Sequence, residues 1–159
     1  MSFRIGFGFD VHRLKSGRPF ILGGVTIPSD KGPDGHSDAD VLIHAICDAL
    51  LGAAGLRDIG FHFPDTSQDY KDADSRDLLK KVCALITQEK FTIGNIDATV
   101  CLEQPKISPY VIAMKESLAL IMEIEISAIS VKATTNEKMG FIGREEGIAA
   151  YAVALLEKS

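Results

Sequence analysis

The chain has 159 residues, 46% hydrophobic and 25% charged, which suits one soluble globular domain with a core of useful size. A formal net charge of −5 excludes a general nucleic-acid binder, whose affinity would need clustered Lys and Arg, but leaves room for a local basic site for one phosphorylated small molecule. No apolar run is long enough to span a bilayer, and the opening MSFRIGFGFD lacks the layout of a secretory leader, so no membrane role is expected.

Residues 3–13 alternate Phe3, Ile5, Phe7, Phe9 and Val11 with Arg4, Gly6, Gly8, Asp10 and His12, a period of two that predicts a strand. Phe9 and Val11 suit a core face, and Gly6 and Gly8 clear space on the polar face. Phe20–Leu22 and Val25–Ile27, around Gly23-Gly24, form a hairpin or a bulged continuation. Residues 28–37 are loop chemistry. Ser37 stands three before Asp40, a capping-box spacing for a helix ending near Ala54 at Gly55, with Val41, Leu42, Ala45, Ile46, Ala49 and Leu50 as its apolar stripe.

A loop over 56–73 carries DIG and FHFPDT. A second helix spans 75–89 with Leu78, Leu79, Val82, Leu85 and Ile86 inward. A strand covers 93–103, and Ser108-Pro109 cap and open a third helix reaching Met122. A short strand follows at 129–133. Residues 148–156 favour a helix by alanine content and a buried strand by period; propensity does not separate the two. No repeat, low-complexity tract or linker divides the chain, so residues 1–159 read as a single domain. Cys47, Cys83 and Cys101 are far apart without a CxxC pair, which is expected of buried free thiols in a reducing, cytoplasmic compartment.

Asp10 and His12 share one face of their strand. Alone, an Asp-x-His pair is more often an ordinary solvated face. His44 lies on the first helix, four after Asp40 and four before Asp48; alone, it is more often a surface histidine flanked by acids. Combined, two imidazoles and a carboxylate make the three-ligand set of a catalytic zinc site with an open fourth position, here for a substrate phosphate. Asp40 or Asp48 would accept a hydrogen bond from His44. Cys47 is a weaker rival ligand.

Residues 132–144 (KATTNEKMGFIGR) are a second concentration of polar groups. Thr134, Thr135 and Asn136 at a predicted helix start suit an anion, Glu137 suits Mg²⁺, and Lys132, Lys138 and Arg144 add positive charge. Lys106 at a strand exit and His36 before Ser37 are candidate phosphate contacts. His62 reads as structural. Gly6-Phe7-Gly8 is no dinucleotide fingerprint, since it lies inside a strand and lacks the third glycine.

The segments GFGFDVHRL, GHSDADVLIHAICDALLGAAGL, DIGFHFPDT, QPK and KATTNEKMGFIGREEGIA, in this order, resemble the 2-C-methyl-D-erythritol 2,4-cyclodiphosphate synthase family of non-mevalonate isoprenoid biosynthesis. The resemblance implies an α/β (α+β) domain with a mixed four-stranded main sheet, helices on one face and a small hairpin. It implies a homotrimer with sheets facing the trimer axis and intersubunit sites, and it favours a strand at 148–157. The implied activity is that of a lyase: cyclisation of 4-diphosphocytidyl-2-C-methyl-D-erythritol 2-phosphate with release of CMP.

On matching positions, the resemblance implies zinc or another divalent metal on Asp10, His12 and His44, and Mg²⁺ or Mn²⁺ on Glu137. It gives transition-state stabilisation to His36 and Thr135. It puts phosphate and methylerythritol contacts at His36, Ser37, Asp58, Ile59, Gly60, Phe63, Pro64, Asp65, Thr66 and Ser67. A cytidine pocket from the neighbouring subunit would use Leu102, Lys106, Ile107, Ser108, Ala133, Thr134 and Thr135. Asn136, Phe141 and Arg144 would be further contacts. Phe9, Arg144 and Glu146 would line an axial cavity for an isoprenoid diphosphate. The chain departs from the family pattern at Glu103, where Gln is usual, and at Arg57, Ser67 and Asp72. A metal-dependent phosphoesterase and a non-catalytic binder of cytidine nucleotides or isoprenoid diphosphates remain as rival readings.

Overall fold

The computed structural model describes residues 2–158. The period-two segment forms one long strand, β1 (Ser2–Ser16). It is followed by the hairpin β2 (Phe20–Leu22) and β3 (Val25–Ile27), then β4 (Lys31–Asp34) and α1 (Val41–Ala54). A single turn, α2 (Ile59–His62), and a loop lead to α3 (Ser75–Gln88). Next come β5 (Phe91–Cys101), α4 (Val111–Met122), β6 (Ile129–Thr134), the short α5 (Gly140–Gly143) and β7 (Gly147–Lys158).

The main sheet has the order β4-β1-β7-β5-β6, with β5–β6 parallel and every other neighbour antiparallel. Five strands, not four, make it up. The extra one lies in the segment read as loop: Lys31–Asp34 pairs with Arg13–Ser16. Its Gly-Pro composition hides a strand, but Pro is tolerated on a sheet edge, where a missing N–H costs no ladder bond.

The packing of α1 on the sheet explains the glycines. A Cβ on Gly6 would lie 1.8 Å from the Ala49 carbonyl oxygen, and one on Gly8 1.8 Å from that of Ala45. Backbone therefore rests on backbone. The even-numbered face of β1 is the inner face, and Phe3, Ile5, Phe7, Phe9 and Val11 point outward, 42–74% exposed. That reverses the sequence expectation that Phe9 and Val11 face the core and that Gly6 and Gly8 clear space at a polar surface. Strand β7 continues both faces: Ala150, Ala152 and Ala154 are buried, whereas Tyr151 and Val153 are exposed beside the outer aromatics. Small side chains under the helix are why this alanine-rich segment is a strand despite its helix propensity.

Helix α1 buries Leu42, Ile43, Ile46 and Leu50 completely. Its N-cap is Asp40, not Ser37: the carboxylate accepts the Ile43 N–H at 3.0 Å and those of Gly23 and Gly24 at 2.9 and 2.7 Å. Burial lifts the Asp40 carboxyl to about 6, against the opposing pull of these bonds. Helix α3 presents Leu78, Leu79, Val82 and Ile86 to the core as expected, with Leu85 half-buried. Ser108 does not cap α4; Ser108–Tyr110 form a 3-10 turn before it.

Candidate functional site

The β1–α1 register builds the site. Two strand residues advance about 6.7 Å and four helix residues about 6 Å, so an antiparallel strand and helix stay in step. Gly6 meets Ala49 and Gly8 meets Ala45; the next inner positions, Asp10 and His12, emerge near the start of α1, where His44 stands. Asp10 Oδ2 lies 2.9 Å from His12 Nε2 and 3.0 Å from His44 Nδ1, and the two nitrogens are 3.4 Å apart. Atoms bound to one tetrahedral zinc sit about 3.3 Å from each other, so the three fit a shared cation.

The outer nitrogens of both rings are engaged. His12 Nδ1 is 3.1 Å from the Asp34 carbonyl oxygen, which can only accept, so that nitrogen carries the proton. The unforeseen strand β4 thus orients His12. His44 Nε2 lies 2.8 Å from Ser75 Oγ and 3.3 Å from Ser37 Oγ. Burial alone would raise the Asp10 carboxyl, but its bonds to His12 and His44 outweigh burial and hold it at about 2. Burial lowers His44, and Asp10 reverses this to a net rise.

The triad opens into a cavity of about 280 Å³ that His36, Ser37, Ile59, Gly60, Phe63 and Asp65 also line. Six expected contacts thus converge on the triad. Asp58 instead caps α2 through the Phe61 N–H at 3.0 Å. Ser67 caps a 3-10 turn, and its carbonyl oxygen lies 3.2 Å from His36 Nε2. Pro64 and Thr66 are exposed on the same loop. Tyr70 and Leu78 complete the wall and were not foreseen, although Tyr70 packs edge-on against Phe63 at 5.4 Å.

The second polar cluster stands apart: none of residues 102–108 or 133–137 lines that cavity. Nor does a helix begin at Thr134–Asn136. Strand β6 ends at Thr134, and the chain turns with Glu137 and Lys138 at φ of 52° and 59°. The Asn136 amide, expected to meet an external anion, meets an internal one: Glu103 accepts it at 2.9 Å and the Lys138 N–H at 3.1 Å. Thr135 Oγ accepts the Glu137 N–H at 3.3 Å, and the Glu137 side chain is exposed. Leu102 and Ile107 are buried in the main core, while Lys106, Ser108, Ala133 and Thr134 are exposed. Phe141 and Glu146 border a second hollow with Val11, His12 and Arg13, so it adjoins the triad at His12, and Arg144 forks onto Glu146 at 2.9 and 3.3 Å. Among the described residues no helix is long and apolar enough to cross a membrane.

Residues 3–157 match the family model described as the YgbB family. The chain belongs to that family. A 2-C-methyl-D-erythritol 2,4-cyclodiphosphate synthase of Cytophaga hutchinsonii is 58% identical over 158 residues, 99% of each chain, and one of Porphyromonas gingivalis is 61% identical over 97% of this chain and 95% of its own. Among solved structures, the bifunctional IspDF of Campylobacter jejuni superposes with a TM-score of 0.96 at 42% identity, over 99% of this chain and 43% of that longer one. The Plasmodium falciparum IspF–CDP complex gives 0.87 at 36% identity, over 99% and 98%.

Two residues of this YgbB-family chain change the sequence reading. Glu103, expected to be a departure from the family pattern, makes a contact that needs only an acceptor oxygen, which a Gln would also supply. Ser75 was missed outright. Asp40 and Asp48, the acceptors expected for His44, are occupied elsewhere, Asp48 by the Ile59 N–H at 2.7 Å. Cys47 is fully buried away from the triad. Ser75, 31 residues after His44, stands against His44 Nε2 in their place, and sequence spacing offered no sign of it.

Proposed function

We propose that this single-domain chain, residues 1–159, cyclises 4-diphosphocytidyl-2-C-methyl-D-erythritol 2-phosphate to 2-C-methyl-D-erythritol 2,4-cyclodiphosphate. The 2-phosphate oxygen bonds to the β-phosphorus, the bond from that phosphorus to the bridging oxygen breaks, and CMP leaves as the phosphorus–oxygen lyase product. The observation carrying this reading is the triad: both imidazoles have their outer nitrogens engaged and their inner nitrogens turned, with Asp10, into a cleft lined by His36 and Ser37. No protein nucleophile is required, because both reacting groups belong to the substrate; the protein's task is alignment and charge neutralisation.

Asp10, His12 and His44 would hold a divalent cation, zinc by donor type, and Glu137 Mg²⁺ or Mn²⁺; these supply Lewis-acid character toward phosphate oxygens. His36 and Thr135 would stabilise charge developing in the transition state. His36, Ser37, residues 58–60 and residues 63–67 would hold the methylerythritol diphosphate. The CDP complexes of solved relatives support a cytidine nucleotide as part of the ligand.

The cytidine side of the site, residues 102–108 and 133–137, would come from a neighbouring copy. The outward aromatic stripe of β1 and β7 supports a homotrimer, since a monomer rarely leaves such a face in water. Phe9, Arg144 and Glu146 would then face the trimer axis, where an isoprenoid diphosphate would bind. The free thiols fit the cytoplasm. Incubation of the zinc-loaded protein with the cytidyl substrate and Mg²⁺, followed by ³¹P NMR, tests the activity: CMP and a cyclic diphosphate are expected. Release of inorganic phosphate or a phosphomonoester would indicate a phosphoesterase, and binding without turnover a non-catalytic binder; either refutes the proposal.

A further inference from the structure

We propose that Asp38 and Ser75 are positioning residues for the metal centre, forming a hydrogen-bond relay that fixes which nitrogen of His44 faces the cation. The inference rests on the triad holding a metal, as above. It follows from counting protons. Ser75 is completely buried, and its Oγ lies between two partners: Asp38 Oδ1 and, at 2.8 Å, His44 Nε2. A carboxylate accepts only, and a serine has one hydroxyl proton, so that proton points at Asp38. Ser75 Oγ, the nearer of the two hydroxyls at Nε2 (Ser37 Oγ is 3.3 Å away), must then accept from His44, which places a proton on Nε2. Nδ1, 3.0 Å from Asp10 and 3.4 Å from His12 Nε2, is left as the ligand atom.

The Asp38 carboxylate is itself held in place. Its Oδ2 accepts the Ser75 N–H at 2.9 Å, and its Oδ1 accepts the Asp40 N–H at 3.2 Å. One side chain therefore joins the first turn of α3 to the entry of α1. The same junction pins the C-terminal end of the loop that lines the cleft: the Asp72 N–H donates to the His36 carbonyl at 2.9 Å, and the Asp38 N–H to the Ala73 carbonyl at 3.1 Å. The relay thus sets the ring of His44 from the same junction that anchors the substrate-facing loop.

The test uses the full-length protein and zinc alone, titrated against a competing fluorescent chelator. Ser75→Ala and Asp38→Asn are each expected to weaken zinc binding by about 10–100-fold, the range for lost partners of ligating histidines. Far-UV circular dichroism and melting of the metal-free variants check that each remains folded. Wild-type affinity in either folded variant overturns the relay. Absence of zinc binding in the wild type would instead refute the metal centre, so the two failures are distinguishable. A third measurement needs no variant. In ¹¹³Cd-substituted wild type, NMR coupling should run from cadmium to His44 Nδ1 with the Nε2 proton retained. Coupling through Nε2 overturns the proposal.

Discussion

The two polar clusters of this chain are built in opposite ways. The triad is enclosed, with Asp10, His12 and His44 within hydrogen-bond reach of one another and the outer nitrogen of each ring already engaged. The cluster at 134–137 lies on an open turn, its amides tied back by Glu103 and its Glu137 carboxylate free in solvent. One half is preorganised within a single chain; the other presents groups outward. The difference teaches that the two clusters face different spaces, the triad a cleft and the turn solvent; under the proposed function, a complete site would take the cleft of one copy and the turn of another.

The largest effects should come from breaking the halves separately. His44→Ala is expected to lose bound zinc, measured by elemental analysis, and to lower turnover on the order of 10³-fold, while sedimentation shows an unchanged assembly. Phe7→Asp, on the outer face of β1, should do the reverse: zinc stays, the assembly falls to monomers, and turnover is lost with it. Zinc retained in the first variant, or trimers retained with full loss of turnover in the second, would erase the contrast.

A smaller effect is expected at Glu103. Glu103→Gln keeps an acceptor for the Asn136 and Lys138 amides and should hold turnover within about threefold. Glu103→Ala frees two amides and should cost about tenfold, with zinc affinity unchanged. Equal kinetics for both would remove Glu103 from the account of the turn.

The smallest concerns the relay's neighbour Asp74, the N-cap of α3. Asp74→Ala should cost about 1 kcal/mol in thermal or urea unfolding. Arg76, through its side-chain bonds, holds the Asp74 carboxyl below its usual value. A carboxyl depressed in the folded state contributes above its unfolded value and loses that contribution as pH falls through the folded one. The gap between variant and wild type should therefore narrow below about pH 4. A gap that widens on acidification would contradict this assignment.

The triad was readable in the sequence because its signals are local. Asp10 and His12 share a strand face by a period of two, and His44 stands on a helix whose apolar stripe sets its direction. The strand faces were not readable. Phe3 to Val11 look like a core stripe because an outward-facing apolar surface has the composition of an interior; only the backbone contact of Gly6 and Gly8 with α1 shows which side is inside. Strand β4 escaped notice because Lys-Gly-Pro-Asp has turn composition, and its pairing with β1 is a tertiary fact. The cap at Asp40 and the relay at Ser75 depend on contacts 16 to 37 residues apart, beyond any local pattern. The C-terminal strand was decided by how little room α1 leaves beneath it.

Mixed assembly tests the division into half-sites most directly. His44→Ala and Glu137→Gln chains, each inactive alone, are co-refolded in equal amounts and assayed for CMP release. In a closed ring with head-to-tail interfaces, random mixing gives about a quarter of the sites an intact cleft facing an intact turn. Recovery near that fraction is the predicted result. No recovery in mixed trimers of demonstrated composition would place both halves of the site within one chain and contradict the account.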